Sequence, residues 1–207
     1  MPTLIATASE LDYPVLAVVN GRPAVAWHHY PEMDDPELRF AQATDVNGSS
    51  WATPTTAFTF SNSEPEEGVR LFDIAGRATI LFFNRFENPN LPCCEEALEM
   101  LWLQAANETA TSWNSPIVVD FEQQDPTMLE VVSMVQINGT PTLVYHKQDT
   151  VWLLRALDKQ GSAWATPYAF DGSGNRVGRH NAAVSDGETA VISYYDDTLN
   201  GLKMAQI

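Results

Sequence analysis

The groups in this chain best suited to meet a small polar molecule are an arginine, a serine, an asparagine and several histidines. Arg70, Ser133 and Asn181 stand at matching points of a repeated pattern, with Val15 completing the set. A guanidinium, a hydroxyl and an amide around one opening would hydrogen-bond a polar ligand, although Arg70 can equally pair with Asp73 or a loop carboxylate. His28, His29, His146 and His180 fall at strand ends on one side of the pattern, and Tyr194 aligns with His28 and His146. Histidines so placed serve either as hydrogen-bonded surface groups or as ligand contacts. Ligand binding is expected at Arg70, Ser133, Asn181, His180, His28, His146 and Tyr194, with no catalytic residue among them.

Motifs of enzymes are scarce. The chain has no G-x-S-x-G elbow, no phosphate-binding glycine loop and no H-E-x-x-H. Glycoside hydrolysis needs two carboxylates facing each other across a sugar. Glu32, Asp34, Asp35, Glu95, Asp125 and Asp196 are available, but 27 acidic residues make the mere presence of carboxylates uninformative. Cys93 and Cys94 are adjacent, a poor arrangement for an ordinary bridge, and they lack zinc spacing. Neither a metal nor a cofactor is expected. The net charge of −16 weighs against nucleic acid and anionic membranes as partners. No apolar run approaches the ~20 residues of a membrane helix, so no membrane insertion is expected.

These residues have to be positioned by a repeat. A hairpin turn ends in glycine at Gly21, Gly76, Gly139 and Gly187, at intervals of 48 to 63 residues. A second turn closes on Trp51, Trp113 and Trp164. Eleven residues before each tryptophan stands Phe40, Trp102 or Leu153, and Met204 aligns with them, so all four are expected in the core. Such a period suits one four-stranded propeller blade. The expected fold is all-β: a four-bladed β-propeller of antiparallel four-stranded blades, forming a single domain over 1–207. Blade one spans about 13–60, blade two 67–121 and blade three 128–170. Blade four takes 179–207 together with 1–8, because Pro2-Thr3-Leu4-Ile5 repeats the proline that opens each outer strand. The N-terminal strand would thereby close the ring.

The segments Leu16–Trp27, Ala43–Pro54 and Ala190–Gln206 resemble uncharacterised bacterial and environmental propeller repeats of the form LAVVNGxPAISYYD followed by LKY and NGTSWGTPV. The resemblance implies a β-propeller and brings no established chemistry with it. Asp45-Val46-Asn47-Gly48-Ser49-Ser50-Trp51 also resembles the Asp-box turn of sialidases, with the acid one place out of register. That likeness implies a locked hairpin and little about hydrolysis.

In such blades the short turns share one side, while the b–c and d–a connections share the other. The second side is irregular in length, and its longest loop, Asn84–Ala97, holds Phe86, two prolines and Glu95-Glu96. Irregular loops on a regular scaffold commonly carry recognition. The expectation is a non-catalytic binding module for a glycan, a small polar molecule or a protein. The alternative is a small carbohydrate-active hydrolase of propeller fold. The start of the chain lacks a basic region followed by an apolar stretch, which fits either a cytoplasmic protein or a secreted one whose leader has been removed.

Overall fold

Asn20-Gly21, Ala75-Gly76 and Asn138-Gly139 each place two successive residues at positive φ, between 46° and 77°. That is the backbone of the two-residue hairpin turn whose twist matches its flanking strands. A computed structural model describes residues 4–6, 11–87, 96–123, 132–171 and 174–207. Each of these turns joins the first two strands of an antiparallel sheet.

The first sheet runs β1 (Leu11–Val19), β2 (Arg22–His29), β3 (Glu37–Gln42) and β4 (Thr55–Thr59). The second runs β5 (Glu64–Ile74), β6 (Arg77–Glu87), β7 (Glu96–Gln104) and β8 (Ile117–Gln123). The third runs β9 (Val132–Ile137), β10 (Thr140–Lys147), β11 (Thr150–Arg155) and β12 (Tyr168–Asp171). The fourth has three strands among the described residues: β13 (Val177–Ser185), β14 (Ala190–Asp196) and β15 (Gly201–Gln206). All pair in chain order, as the repeat requires. The outer strand expected from residues 1–8 falls largely outside the described residues, and Leu4–Ala6, which are described, belong to no strand. The chain divides into two compact units, 1–124 and 125–207.

In the N-terminal unit the core lies between the first and second sheets, where Ala26, Leu38, Phe40 and Phe60 meet Ile80, Phe82 and Leu103. Phe58 and Phe60 pack on Phe82 with ring centroids 5.0 and 5.7 Å apart. In the C-terminal unit Val144, Val151 and Leu153 of the third sheet are buried with Ile192 and Tyr194 of the fourth.

The tryptophan turns are locked from within. The Asp45 carboxylate accepts hydrogen bonds from the amides of Asn47, Ser49 and Ser50 and from the hydroxyls of Ser49 and Ser50. Trp51 Nε1 donates to Gly48 O at 3.0 Å, and Trp51 bridges back to Ala43. Asp158 and Trp164 repeat the arrangement, with Trp164 Nε1 donating to Gly161 O at 2.9 Å. At the middle turn Asn107 accepts from Thr109 and Thr111 instead. The locked hairpin implied by the Asp-box likeness is therefore present, with the acid itself as the lock. The three tryptophans are half-buried.

The fourth hairpin corrects the expected alignment. Val19 pairs with Arg22, Ile74 with Arg77 and Ile137 with Thr140, but Ser185 pairs with Ala190 across four residues. There Asp186 Oδ1 accepts from the amides of Glu188 and Thr189. Counting outward from Gly187 therefore misplaces both strands by one residue, which reverses the face of every side chain. The ladder partner of Ser193, and hence the counterpart of Val15, Arg70 and Ser133, is Ala182 rather than Asn181. Tyr195, not Tyr194, is the counterpart of His28, Phe83 and His146. Tyr194 joins Trp27, Phe82 and Tyr145 among the buried aromatics. Met204, expected in the core, is 70% exposed, whereas Phe40, Trp102 and Leu153 are buried.

Candidate functional site

Two inner strands of the N-terminal unit are bulged at the same place. β1 shifts register between Asp12 and Val15, with Tyr13 at φ 51°, and β5 shifts between Glu66 and Arg70, with Gly68 at φ 107°. Bulges re-aim the side chains next to them and are common beside active sites. Here they turn out a set of acids and aromatic rings. The Tyr13 hydroxyl donates to Glu67 Oε1 at 2.7 Å, and this bond, followed by burial, raises the Tyr13 pKa to about 12. His28 is fully buried among the rings of Tyr13, Tyr30 and Phe60, with centroids 5.9, 6.3 and 5.6 Å away. Burial pushes its pKa down to about 4 against an opposing pull from Asp12, so it is a neutral imidazole.

Beside Phe60 opens a cleft of about 380 Å³. Asp35 and Pro36 come from the β2–β3 connection, Asn62 and Ser63 from the β4–β5 connection, and Glu64 opens β5. Arg85, Phe86, Glu87 and Glu96 come from the facing ends of β6 and β7. The contributors come from the irregular connections and the strand ends next to them. Arg85 lies directly across the ladder from Glu64. Its guanidinium meets the Glu66 carboxylate at 2.5 Å and that of Glu96 at 3.4 Å. Glu66 is half-buried, and this desolvation raises its pKa. Arg85 opposes the rise, and the carboxylates of Glu67, Glu96 and Glu64 reinforce it. The cleft thus offers carboxylate acceptors, one guanidinium, an amide, a hydroxyl and two phenyl rings.

The residues singled out from sequence are divided between the two units. Arg70 is half-buried and donates to the carbonyl of its own neighbour Val69 at 3.0 Å; burial lowers its pKa. Ser133 and Asn181 do come together, the hydroxyl donating to Asn181 O at 3.2 Å, but the Asn181 side chain is buried and donates to Gly178 O. His146 is buried, with Nε2 4.0 Å from Asp149 Oδ1, and His180 is exposed at φ 52°. The Tyr194 hydroxyl donates to Asp171 Oδ2 at 2.9 Å, inside a clasp in which Lys203 Nζ reaches Asp171 at 2.9 Å and Asp196 at 2.8 Å. Burial and then Asp171 raise the Tyr194 pKa to about 12. The hydrogen bond from Lys203 holds Asp196 down at about 2.

Asp35, Phe86 and Glu96 were visible in the sequence as loop acids and a loop aromatic. Glu64 and Glu66 were not, because blade two was expected to begin at about residue 67. Pro65 and the bulge at Gly68 break the two-residue alternation that would have extended it. No group of three or more potential metal ligands occurs among the described residues. No helix among them is long and apolar enough to cross a membrane.

No family model and no curated protein matches the chain. Among solved structures it is similar to a thermostable family-43 glycoside hydrolase, at TM-score 0.51 and 11% identity over 95% of this chain and 71% of that one. An N-acetylgalactosamine deacetylase from F. plautii, solved in complex with blood group B trisaccharide, matches at TM-score 0.50 and 11% identity. The match covers all of this chain and 69% of that one. A sucrose-6-phosphate hydrolase from Lactobacillus gasseri matches at TM-score 0.50 and 14% identity, over 87% of this chain and 40% of that one. At such identities the likeness is one of fold, which is all-β and β-propeller-like.

Proposed function

We propose that the chain is a carbohydrate-active protein whose four sheets are propeller blades, and that it cleaves glycosidic bonds at the Arg85 cleft. Glu66 carries this reading: it does not line the cleft itself but is paired at 2.5 Å with Arg85, which does, and desolvation outweighs that partner to raise its pKa, as suits an acid catalyst for a leaving sugar oxygen. Glu64 lies two residues earlier in an unbroken stretch of ladder, on the same face of β5. That spacing sets their Cα atoms about 6.7 Å apart along the strand, with both side chains turned to one side. Glu64 is then the base and Phe86 is an apolar face for a sugar ring. The names of the similar structures, all concerned with carbohydrates, support the substrate class.

The test is release of reducing sugar from a panel of polysaccharides. Glu66→Gln should lower turnover by about 10²–10⁴-fold with little change in glycan binding. Wild-type activity should fall as pH rises through the elevated Glu66 pKa. Full activity in Glu66→Gln would overturn the assignment. One observation favours a binding-only protein: Arg85 holds both Glu66 and Glu96 in ion pairs, which suits carboxylates that accept hydrogen bonds from sugar hydroxyls. Glycan binding without turnover, abolished by Arg85→Ala, would decide for that reading.

A further inference from the structure

A cavity of about 500 Å³ opens between the third and fourth sheets, with all its walls in the C-terminal unit. Leu153, Tyr168 and Phe170 give it apolar walls, and Thr142, Arg155 and Glu188 give it polar ones. The N-terminal unit shows what fills this place elsewhere in the repeat. There Trp113 lies against Phe40, the counterpart of Leu153, with ring centroids 5.2 Å apart. Thr55, the counterpart of Tyr168, donates to Ala110 O of the same turn. No tryptophan lines the C-terminal cavity among the described residues. Its polar groups also depart from the repeat. Gln42 and Gln104 stand across the ladder from Ala24 and Thr79 and donate to the carbonyls of Val19 and Ile74, and Gln104 also donates to the Thr79 hydroxyl at 3.3 Å. In the third sheet Arg155 takes the place of the glutamine, across from Thr142, and reaches Ile137 O at 3.5 Å. Thr142 Oγ1 is left with no hydrogen-bond partner on a residue only 4% exposed. Arg155 and Glu188 form no ion pair among the described residues. A buried hydroxyl lining a cavity without a partner is costly unless something enters to bond it.

We propose that this cavity binds a sugar acid, a pyranose ring carrying a carboxylate, at a site separate from the Arg85 cleft. The ring lies where Trp113 lies in the N-terminal unit, with its C–H face against Tyr168 and Leu153. Its carboxylate meets the Arg155 guanidinium, whose planar fork matches a carboxylate as the glutamine of the other sheets cannot. Its hydroxyls bond Thr142 Oγ1 and donate to Glu188, so the buried hydroxyl gains the partner that Gln104 gives Thr79. A mostly apolar cavity with a few convergent polar groups is the usual form of a small-ligand site. The proposal concerns retention of an acidic glycan and requires no turnover, so it stands or falls independently of cleavage at the Arg85 cleft.

Titration of the whole chain with methyl glucuronide, methyl galacturonide and neutral methyl glucoside, each to about 10 mM and followed by protein NMR shifts, tests this. At least one acid should saturate, and the neutral sugar should bind about tenfold more weakly or not at all. Arg155→Gln installs the residue found at the same place in the first two sheets, so the fold should be kept and the preference for the acid lost. Thr142→Val preserves shape and removes the unpartnered hydroxyl, so it should weaken binding several-fold without lowering the thermal midpoint. Arg85→Ala should leave the acid affinity unchanged, which separates this site from the cleft. Absence of saturation by either acid overturns the proposal, as does equal affinity for acid and neutral sugar. Binding that survives Arg155→Gln intact but is lost in Arg85→Ala would overturn it too, by assigning the acid to the cleft.

Discussion

His28 is buried, and neither ring nitrogen has a hydrogen-bond partner among the described residues, so the folded protein holds it without a proton. Its pKa is about 4 folded, against an ordinary value of 6.5. As pH falls below 6.5 the unfolded chain takes up a proton that the folded chain refuses, and stability declines until about pH 4. The full loss is roughly 3 kcal/mol. The urea midpoint should therefore drop across this window, and His28→Phe should flatten the slope. An unchanged slope in the variant would show that the imidazole is solvated. Asp45 acts in a separate window. Hydrogen bonds from Ser49, then Ser50 and Asn47, hold its carboxyl well below its ordinary 3.8, so the stability it lends is present above that value and is lost only on further acidification. Asn107 occupies the same place in the middle turn with no charge to titrate.

At the scale of elements, the bulges decide what the strands can present. Gly68 has φ 107°, and a methyl group added there would lie 2.9 Å from the ring of Phe83. Gly68→Ala should cost on the order of 1–3 kcal/mol and misdirect Glu66 and Glu64, weakening glycan binding as well as stability. A variant with wild-type urea midpoint would mean that β5 runs straight. The hairpins and their order were legible in the sequence because Asn-Gly and tryptophan turns recur at matching places. The alignment of the fourth sheet was not. In its hairpin, held by Asp186, the glycine stands one place earlier than in the other three, so counting from Gly187 puts the buried Tyr194 on the wrong face. The start of β5 was hidden for a related reason: Glu64 to Gly68 read as a loop because a proline and a bulge conceal the strand period.

Over the whole molecule, the 16-unit excess of negative charge is readable from composition, but its local arrangement is not. Glu64, Glu66 and Glu96 gather around Arg85 only because β5 and β7 flank β6. Lysines are unevenly shared along the chain. The three lysines, Lys147, Lys159 and Lys203, all lie beyond residue 124. The clasp on Lys203 has a consequence for covalent labelling. Acylating reagents attack the free amine, and the hydrogen bonds that Lys203 donates to Asp196 and Asp171 raise its pKa above its ordinary 10.5, leaving almost none. Peptide mass spectrometry after brief treatment with an activated ester should find Lys147 and Lys159 modified and Lys203 spared, with Lys203 reacting once urea is added. Early acylation of Lys203 would mean that the clasp is open in solution. If it is spared, that one amine becomes a chemical clock for the opening of the C-terminal unit.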